Sequence, residues 1–194
     1  LFAKNGRHPE TRVDNYKEWG RRGGWSSSSG RGWANLSNAP FRMYKRYTHE
    51  GGVSTPLIVH WPAGLQGKGE LRYAPSHLID VAPTCLAAAG IPGKGMEGKS
   101  LLPVFAKDSK KQRTLYWEHE GNRAVRKGNY KLVAMHETPW ELYDMSKDRS
   151  ELKDLSSTMP KKAEELLTMY ETWAKRVGAL PWNEVNVKKK KKKN

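Results

Sequence analysis

The sequence predicts an α/β chain in two parts. A strand-and-helix unit comes first, and a small antiparallel sheet packed by a C-terminal helix follows it. Three observations carry this prediction. The apolar run "VSTPLIVHW" at 53–61 precedes "PSHLIDVAPTCLAAAGI", whose apolar residues recur at helical spacing. Strand-type segments then follow one another between residues 113 and 145, separated by Gly/Asn turns. Last, "PKKAEELLTMYETWAKRVGAL" places Leu166, Leu167, Tyr170, Trp173 and Val177 on one helix face.

In chain order, residues 1–38 are polar and broken by Gly and Ser clusters, without strand or helix period, and read as a long surface loop. Trp19, Trp25 and Trp33 are expected to pin it. "APFRMYKRYTHEGG" at 39–52 is a charged approach to an apolar run, and Gly51 and Gly52 read as turn glycines with positive φ. Residues 53–61 read as a short buried strand with Leu57, Ile58 and Val59 at its core, Pro56 standing at its start or on an edge. Ser76 is the expected N-cap of the next helix. Its face would hold Leu78, Val81, Cys85, Leu86 and Ala89, with Pro83 kinking or restarting it and Gly90 ending it. "KSLLPVFA" reads as a short helical or turn segment. Strands are expected at 113–120, at 122–135 with a break at Gly128-Asn129, and at 140–145. Pro160 suits the first turn of the last helix. The boundaries drawn are 1–110 for the α/β part, 111–182 for the sheet and helix, and 183–194 for a disordered basic tail.

The chain has 194 residues, enough for one ordinary domain. Eight Trp and eight Tyr argue against wholesale disorder. The formal net charge is +15; the run Lys188–Lys193 supplies six of these charges and leaves +9 elsewhere. A like-charge block reads as a solvated tail, and this one has no interleaved aromatics to stack on bases, so nucleic acid is not expected as a partner. The remaining charge suits an anionic ligand. Cys85 is the one cysteine, which excludes an intrachain disulfide and a multi-cysteine zinc site. No stretch of 18 apolar residues is present, so no membrane span is expected. The opening at Leu1 reads as part of a longer protein.

Five blocks in order carry a resemblance. "KRYTHEGGVSTPLIVHWPAG" resembles the Lys-x₄-Glu-Gly-Gly strand entry of the type I sulfatases, the arylsulfatase family. "SHLIDVAPTCLAAAGI" is similar to its His-x-x-Asp-x-x-Pro-Thr helix, and "GKSLLP", "YWEHEGNRAVRKGNYKLV" and "WELYDMSKDRSELKDL" resemble its later blocks. The likeness runs from about Trp33 to Trp182. It implies an alkaline-phosphatase-like α/β/α fold, of which this chain would be the C-terminal part. It also implies a formylglycine nucleophile, a calcium ion held by Asp and Asn, and Lys and His side chains around the sulfate. Lys45 matches the family's pocket lysine. Cys85 stands in "APTCLAA", outside a Cys-x-Pro-x-Arg motif, and "AKNG" at 3–6 and "VDNY" at 13–16 only echo the family's Ser-Asp-Asn-Gly segment. The formylglycine and the calcium ligands are therefore expected upstream of Leu1. Members of this family are often exported, so a periplasmic or secreted protein is implied.

The implied function is sulfuric ester hydrolysis, on a small sulfate ester or a sulfated glycan, with the remainder of a sulfatase chain as the structural partner. Lys45 is assigned to catalysis and sulfate binding, because a preorganised ammonium stabilises charge developing on sulfate oxygens. His49 and His119 are assigned to substrate binding, beside blander readings as a capped turn and an exposed strand end. His77 and Asp80 lie three apart on one helix face and suit a helix-anchoring hydrogen bond better than a metal site. Asn35-Leu36-Ser37 fits a glycosylation sequon, a short motif that chance often produces. The alternative function is a non-catalytic basic module that binds anionic polymers.

Overall fold

The computed structural model describes residues 30–67, 69–109 and 112–185. Four strands, β1 (Thr114–His119), β2 (Asn122–Lys127), β3 (Tyr130–Ala134) and β4 (Glu141–Asp144), form one antiparallel sheet in sequence order. Two-residue turns join the first three. Glu120 and Gly121 both have positive φ, and Gly128 has φ +60, the backbone that matches the twist of a tight hairpin.

The pleat divides the sheet into two unlike faces. One face carries the cross-strand row Tyr116, Val125, Leu132, Leu142. The other carries two rows, Leu115, Arg126, Lys131, Tyr143 and Trp117, Ala124, Val133, Glu141. The apolar row packs on the last helix, α5 (Pro160–Val177), through Leu166 and Tyr170. Tyr116 stacks on Trp173 with centroids 5.0 Å apart, and Trp140 meets Tyr170 edge-on at 5.2 Å. Pro160 opens this helix, as expected, and Gly178 ends it in the left-handed conformation. The meander and its helix therefore match the sequence-based expectation closely.

The N-terminal half departs from it. Residues 30–38 form helix α1 (Gly30–Asn38) rather than loop. Ser37 and Asn38 bond back to the carbonyls of Trp33 and Ala34, which satisfies polar side chains that would otherwise favour a turn. Trp33 is exposed and pins nothing among the described residues; the loop expected over 1–29, with Trp19 and Trp25, lies outside them. The expected strand at 53–61 is absent. Val53 ends helix α2 (Glu50–Val53), and 54–61 run without ladder bonds, leaving Ile58 89% exposed. A strand needs a neighbour to take its N–H and C=O groups, and no described strand pairs with this segment.

The second expected helix forms in two pieces. His77, not Ser76, caps a 3₁₀ turn (Leu78–Asp80), and α3 (Val81–Ala88) continues from it with Pro83 in the first turn. His77 and Asp80 make a reciprocal capping box, so their expected anchoring role holds. Asp80 is buried and takes both guanidinium nitrogens of Arg113, at 2.6 and 3.0 Å, and the Lys99 amide at 2.8 Å. This fastens the turn to the start of β1. Gly90 has φ +73, and the Ile91 amide closes on the Leu86 carbonyl. Leu78, Val81 and Cys85, expected to face a core, are exposed, and no described element covers them. Helix α4 (Leu102–Ala106) follows as expected. Residues 182–185 make a helical turn that runs into the stretch expected as tail, 183–194; Lys188–Lys193 lie outside the described residues. No described helix is long and apolar enough to cross a membrane.

Candidate anion-binding loop

The polar face of the sheet is covered by residues 42–54, the charged stretch that precedes the apolar run. Thr48, His49 and Glu50 are buried there. Lys131 stands in the middle of that face and is fully enclosed. Its ammonium meets Glu50 at 3.1 Å and Glu151 at 2.8 Å. Arg149 reaches the second oxygen of Glu50 at 2.9 Å, and the Glu50 amide donates to Glu151 at 2.8 Å. Burial would push the Glu50 carboxyl up, but the Lys131 charge and the Arg149 hydrogen bond hold it below the usual range. For Glu151 burial prevails, and its carboxyl is pushed up.

A second cluster centres on Glu141. Arg42 Nη1 donates to it at 2.9 Å, Tyr143 Oη at 2.9 Å and His49 Nε2 at 3.2 Å. Arg42 also donates to the Tyr143 hydroxyl and the Glu151 carbonyl. Burial dominates at His49, whose pKa falls to about 4 despite the carboxylate beside it. The imidazole is therefore neutral near pH 7 and gains its proton more readily in the unfolded chain. Stability from this residue is complete above about pH 6.5 and is lost as pH falls from there toward 4. The full loss amounts to roughly 3 kcal/mol. Denaturant unfolding at pH 7 and pH 4.5 checks this, since a His49→Gln variant should lack that part of the pH slope.

Gly51 and Gly52 matter here for a different reason from the one expected. Neither has positive φ. A Cβ on Gly51 would stand 2.1 Å from the Met43 carbonyl oxygen, and one on Gly52 would stand 2.0 Å from that of Tyr47. The glycines let α2 pass against the loop backbone, and the Gly51 amide bonds to the Arg42 carbonyl at 2.9 Å. Gly51→Ala is expected to cost about 2 kcal/mol or more, because backbone rather than a flexible side chain must move. A thermal melt that shifts by less than a degree would contradict this packing.

Lys45 lies on the outer turn of this anchored loop. It is exposed, and it has no carboxylate partner among the described residues. Its neighbour Arg46 is ion-paired with Glu120. A cleft of about 420 Å³ opens between the loop and β1, lined among others by Arg46, Thr48, Trp117, Glu118 and His119. His119 thus joins the loop at one cleft. Lys45 stands one residue from that wall without lining it, and His49 is enclosed behind it against Glu141. The anchoring residues Arg42, Lys131, Glu141, Arg149 and Glu151 were not singled out from sequence. Alternation along β3 and β4 reads as a solvated polar face; a charged residue centred in the strand "NYKLVA" was the available signal.

Calcium does not fit the described residues. They contain no group of three or more His, Cys, Asp or Glu able to hold a metal ion, and Glu50, Asp80, Glu141 and Glu151 are each engaged by Arg or Lys. Cys85 is an exposed thiol on α3.

Comparison with known proteins completes the picture. The crystal structure of Ps i-CgsB superposes with a TM-score of 0.61 at 25% identity, over 72% of this chain and 34% of that one. The sheet and its helix are those of the alkaline-phosphatase-like sulfatase fold. Residues 41–175 match the model of the family "N-sulphoglucosamine sulphohydrolase, C-terminal", and the chain belongs to that family of sulfatase C-terminal regions. An uncharacterized sulfatase of Schizosaccharomyces pombe is 30% identical over 165 residues, 76% of this chain and 30% of that protein. The arylsulfatase of Klebsiella aerogenes is 37% identical over 94 residues, 47% of this chain and 20% of that protein. The chain thus spans less than a third of these curated relatives.

Proposed function

We propose that the chain supplies a sulfate-binding lysine and part of the pocket wall of a sulfuric ester hydrolase of the arylsulfatase type. One observation carries this reading. Lys45 is an exposed cation without a carboxylate partner among the described residues, on a loop tied down on both sides, whereas Arg42, Arg46, Lys131 and Arg149 around it are all paired. An unpaired, held ammonium is what a tetrahedral anion needs, because the charge is in place before the sulfate arrives. His119 contributes to the neighbouring wall, and His49 acts from beneath the loop. The substrate is a small sulfate ester or a sulfated glycan. The Ps i-CgsB structure in complex with k-i-k-neocarrahexaose supports the glycan side of this reading.

The nucleophile, a formylglycine, and the calcium ligands belong in this reading to the remainder of a sulfatase chain. The isolated 194-residue chain is accordingly expected to hydrolyse no aryl sulfate above a catalyst-free control, while the full-length protein releases inorganic sulfate. Turnover by the isolated chain would contradict this division of labour. A full-length protein that binds heparin but releases no sulfate from aryl or glycan esters would favour the basic-module function instead.

A further inference from the structure

The loop that carries Lys45 has two stems, and a single carboxylate holds both. Arg42 lies three residues before Lys45 and His49 four residues after it. Glu141 on β4 accepts from Arg42 Nη1 at 2.9 Å and from Nη2 at 3.3 Å, one bond on each oxygen. It also accepts from His49 Nε2 at 3.2 Å and from the Tyr143 hydroxyl at 2.9 Å. A two-pronged guanidinium contact fixes direction as well as distance. The His49 ring is 1% exposed, and its Nδ1 has no hydrogen-bond partner, so Glu141 is the side-chain partner that fixes this ring. Between the stems the chain is short, and Tyr47 N–H bonds back to the Tyr44 carbonyl at 3.1 Å. The carboxylates of the Lys131 cluster hold the C-terminal stem, through Glu50, and that cluster meets the N-terminal stem through the Glu151 carbonyl, which accepts from Arg42 at 3.3 Å.

We infer that Glu141 is the positioning residue for Lys45: through Arg42 and His49 it sets where the loop turn, and with it the Lys45 ammonium, stands relative to the sheet. The inference rests on the reading of Lys45 as the sulfate-binding cation. Glu141 contacts no substrate in this scheme. Glu141→Gln keeps the shape of the side chain but removes its charge and can turn an amide donor toward the Arg42 donors. The stems then lose their common anchor, and the ammonium shifts relative to the sulfate. Misplacement of a reacting group by about an ångström costs up to on the order of 10²-fold in rate.

The test is a double-mutant cycle in the full-length protein, read as kcat and KM on an aryl sulfate with circular dichroism alongside. Glu141→Gln should lower kcat by on the order of 10-fold or more with a smaller change in KM. Combined with Lys45→Ala, it should lower kcat no further than Lys45→Ala alone. Losses that multiply would overturn the inference, because Glu141 would then act independently of Lys45. Tyr143→Phe, which removes one donor to Glu141 and one acceptor of Arg42 but leaves both stems bonded to Glu141, covers the case in which Glu141→Gln does not fold. Its smaller loss should likewise vanish in the Lys45→Ala background, and persistence there would overturn the inference. An unchanged kcat for Lys45→Ala alone would overturn the reading of Lys45 itself, and the cycle separates that failure from the others.

Discussion

Lys45→Ala in the full-length protein is expected to lower kcat on an aryl sulfate by on the order of 10²–10³ and to leave the melting temperature nearly unchanged. The two halves of this expectation have separate physical origins. Lys45 is exposed and has no carboxylate partner among the described residues, so its removal forfeits little packing, and stability should change by roughly 0.5 kcal/mol or less. The rate effect follows from charge. As the ester bond breaks, negative charge grows on the sulfate and leaving-group oxygens, and a cation already in place is worth more to the transition state than to the ground state. Lys45→Arg should recover part of the rate, since the guanidinium keeps the charge but spreads it over a larger planar fork. Arg46→Ala is the internal control. That residue is adjacent and equally charged, but its charge is spent on Glu120 at the surface, where such a pair contributes about 0–1 kcal/mol. Its effect on kcat should be mild. Equal losses for Lys45→Ala and Arg46→Ala would mean that the loop acts as a diffuse basic patch.

Lys131→Met is expected to destabilise the fold by about 3–5 kcal/mol. Lys131 is fully buried between Glu50 and Glu151, themselves buried, so removing the ammonium strands two carboxylates away from water. Arg149 still pairs with Glu50, but Glu151 loses its ion pair with Lys131. The cost should depend on pH in a defined sense. Burial already raises the Glu151 carboxyl above its unfolded value; without Lys131 it is pushed further up, the fold takes up a proton there, and the variant regains stability as pH falls below that raised value. The double variant Lys131→Met with Glu151→Leu should be less destabilised than Lys131→Met alone, because the stranded charge is gone. Urea unfolding of both variants measures this. A Lys131→Met protein within 1 kcal/mol of wild type would show that the cluster is far more hydrated than its burial indicates.

Legibility in the sequence tracked the locality of the forces. The meander was readable because its hairpins depend on residues side by side, such as Gly128-Asn129, and α5 because Leu166, Tyr170 and Trp173 repeat at helical spacing. Lys45 stood out only through the block of residues around it, since a loop lysine carries no periodicity of its own. The anchoring clusters were not legible. Glu50 meets Lys131, and Arg42 meets Glu141, across 81 and 99 residues. On the strands, Lys131, Glu141 and Tyr143 take the polar positions of an ordinary two-faced sheet. Nothing local tells that a charged loop covers that face, so a buried ionic layer reads as a solvated one. The run at 53–61 failed in the opposite direction. Its apolar composition suggested burial, but a strand is defined by a partner, and Leu57, Ile58 and Val59 have none among the described residues. The glycine pair is legible as special but its cause is not, because close approach to the Met43 and Tyr47 carbonyls is a tertiary fact.

The most direct measurement of the central claim, that Lys45 binds the sulfate group, is competitive inhibition of the full-length protein by inorganic sulfate. The inhibition constant is compared among wild type, Lys45→Ala and Arg46→Ala at fixed ionic strength. The free anion reports on the sulfate site without the rest of the substrate, and fixed salt holds general screening constant. Loss of one charged hydrogen bond should weaken sulfate binding by roughly tenfold or more in Lys45→Ala, with Arg46→Ala close to wild type. Equal inhibition constants in all three proteins would contradict the assignment and return the loop to an ordinary solvated turn.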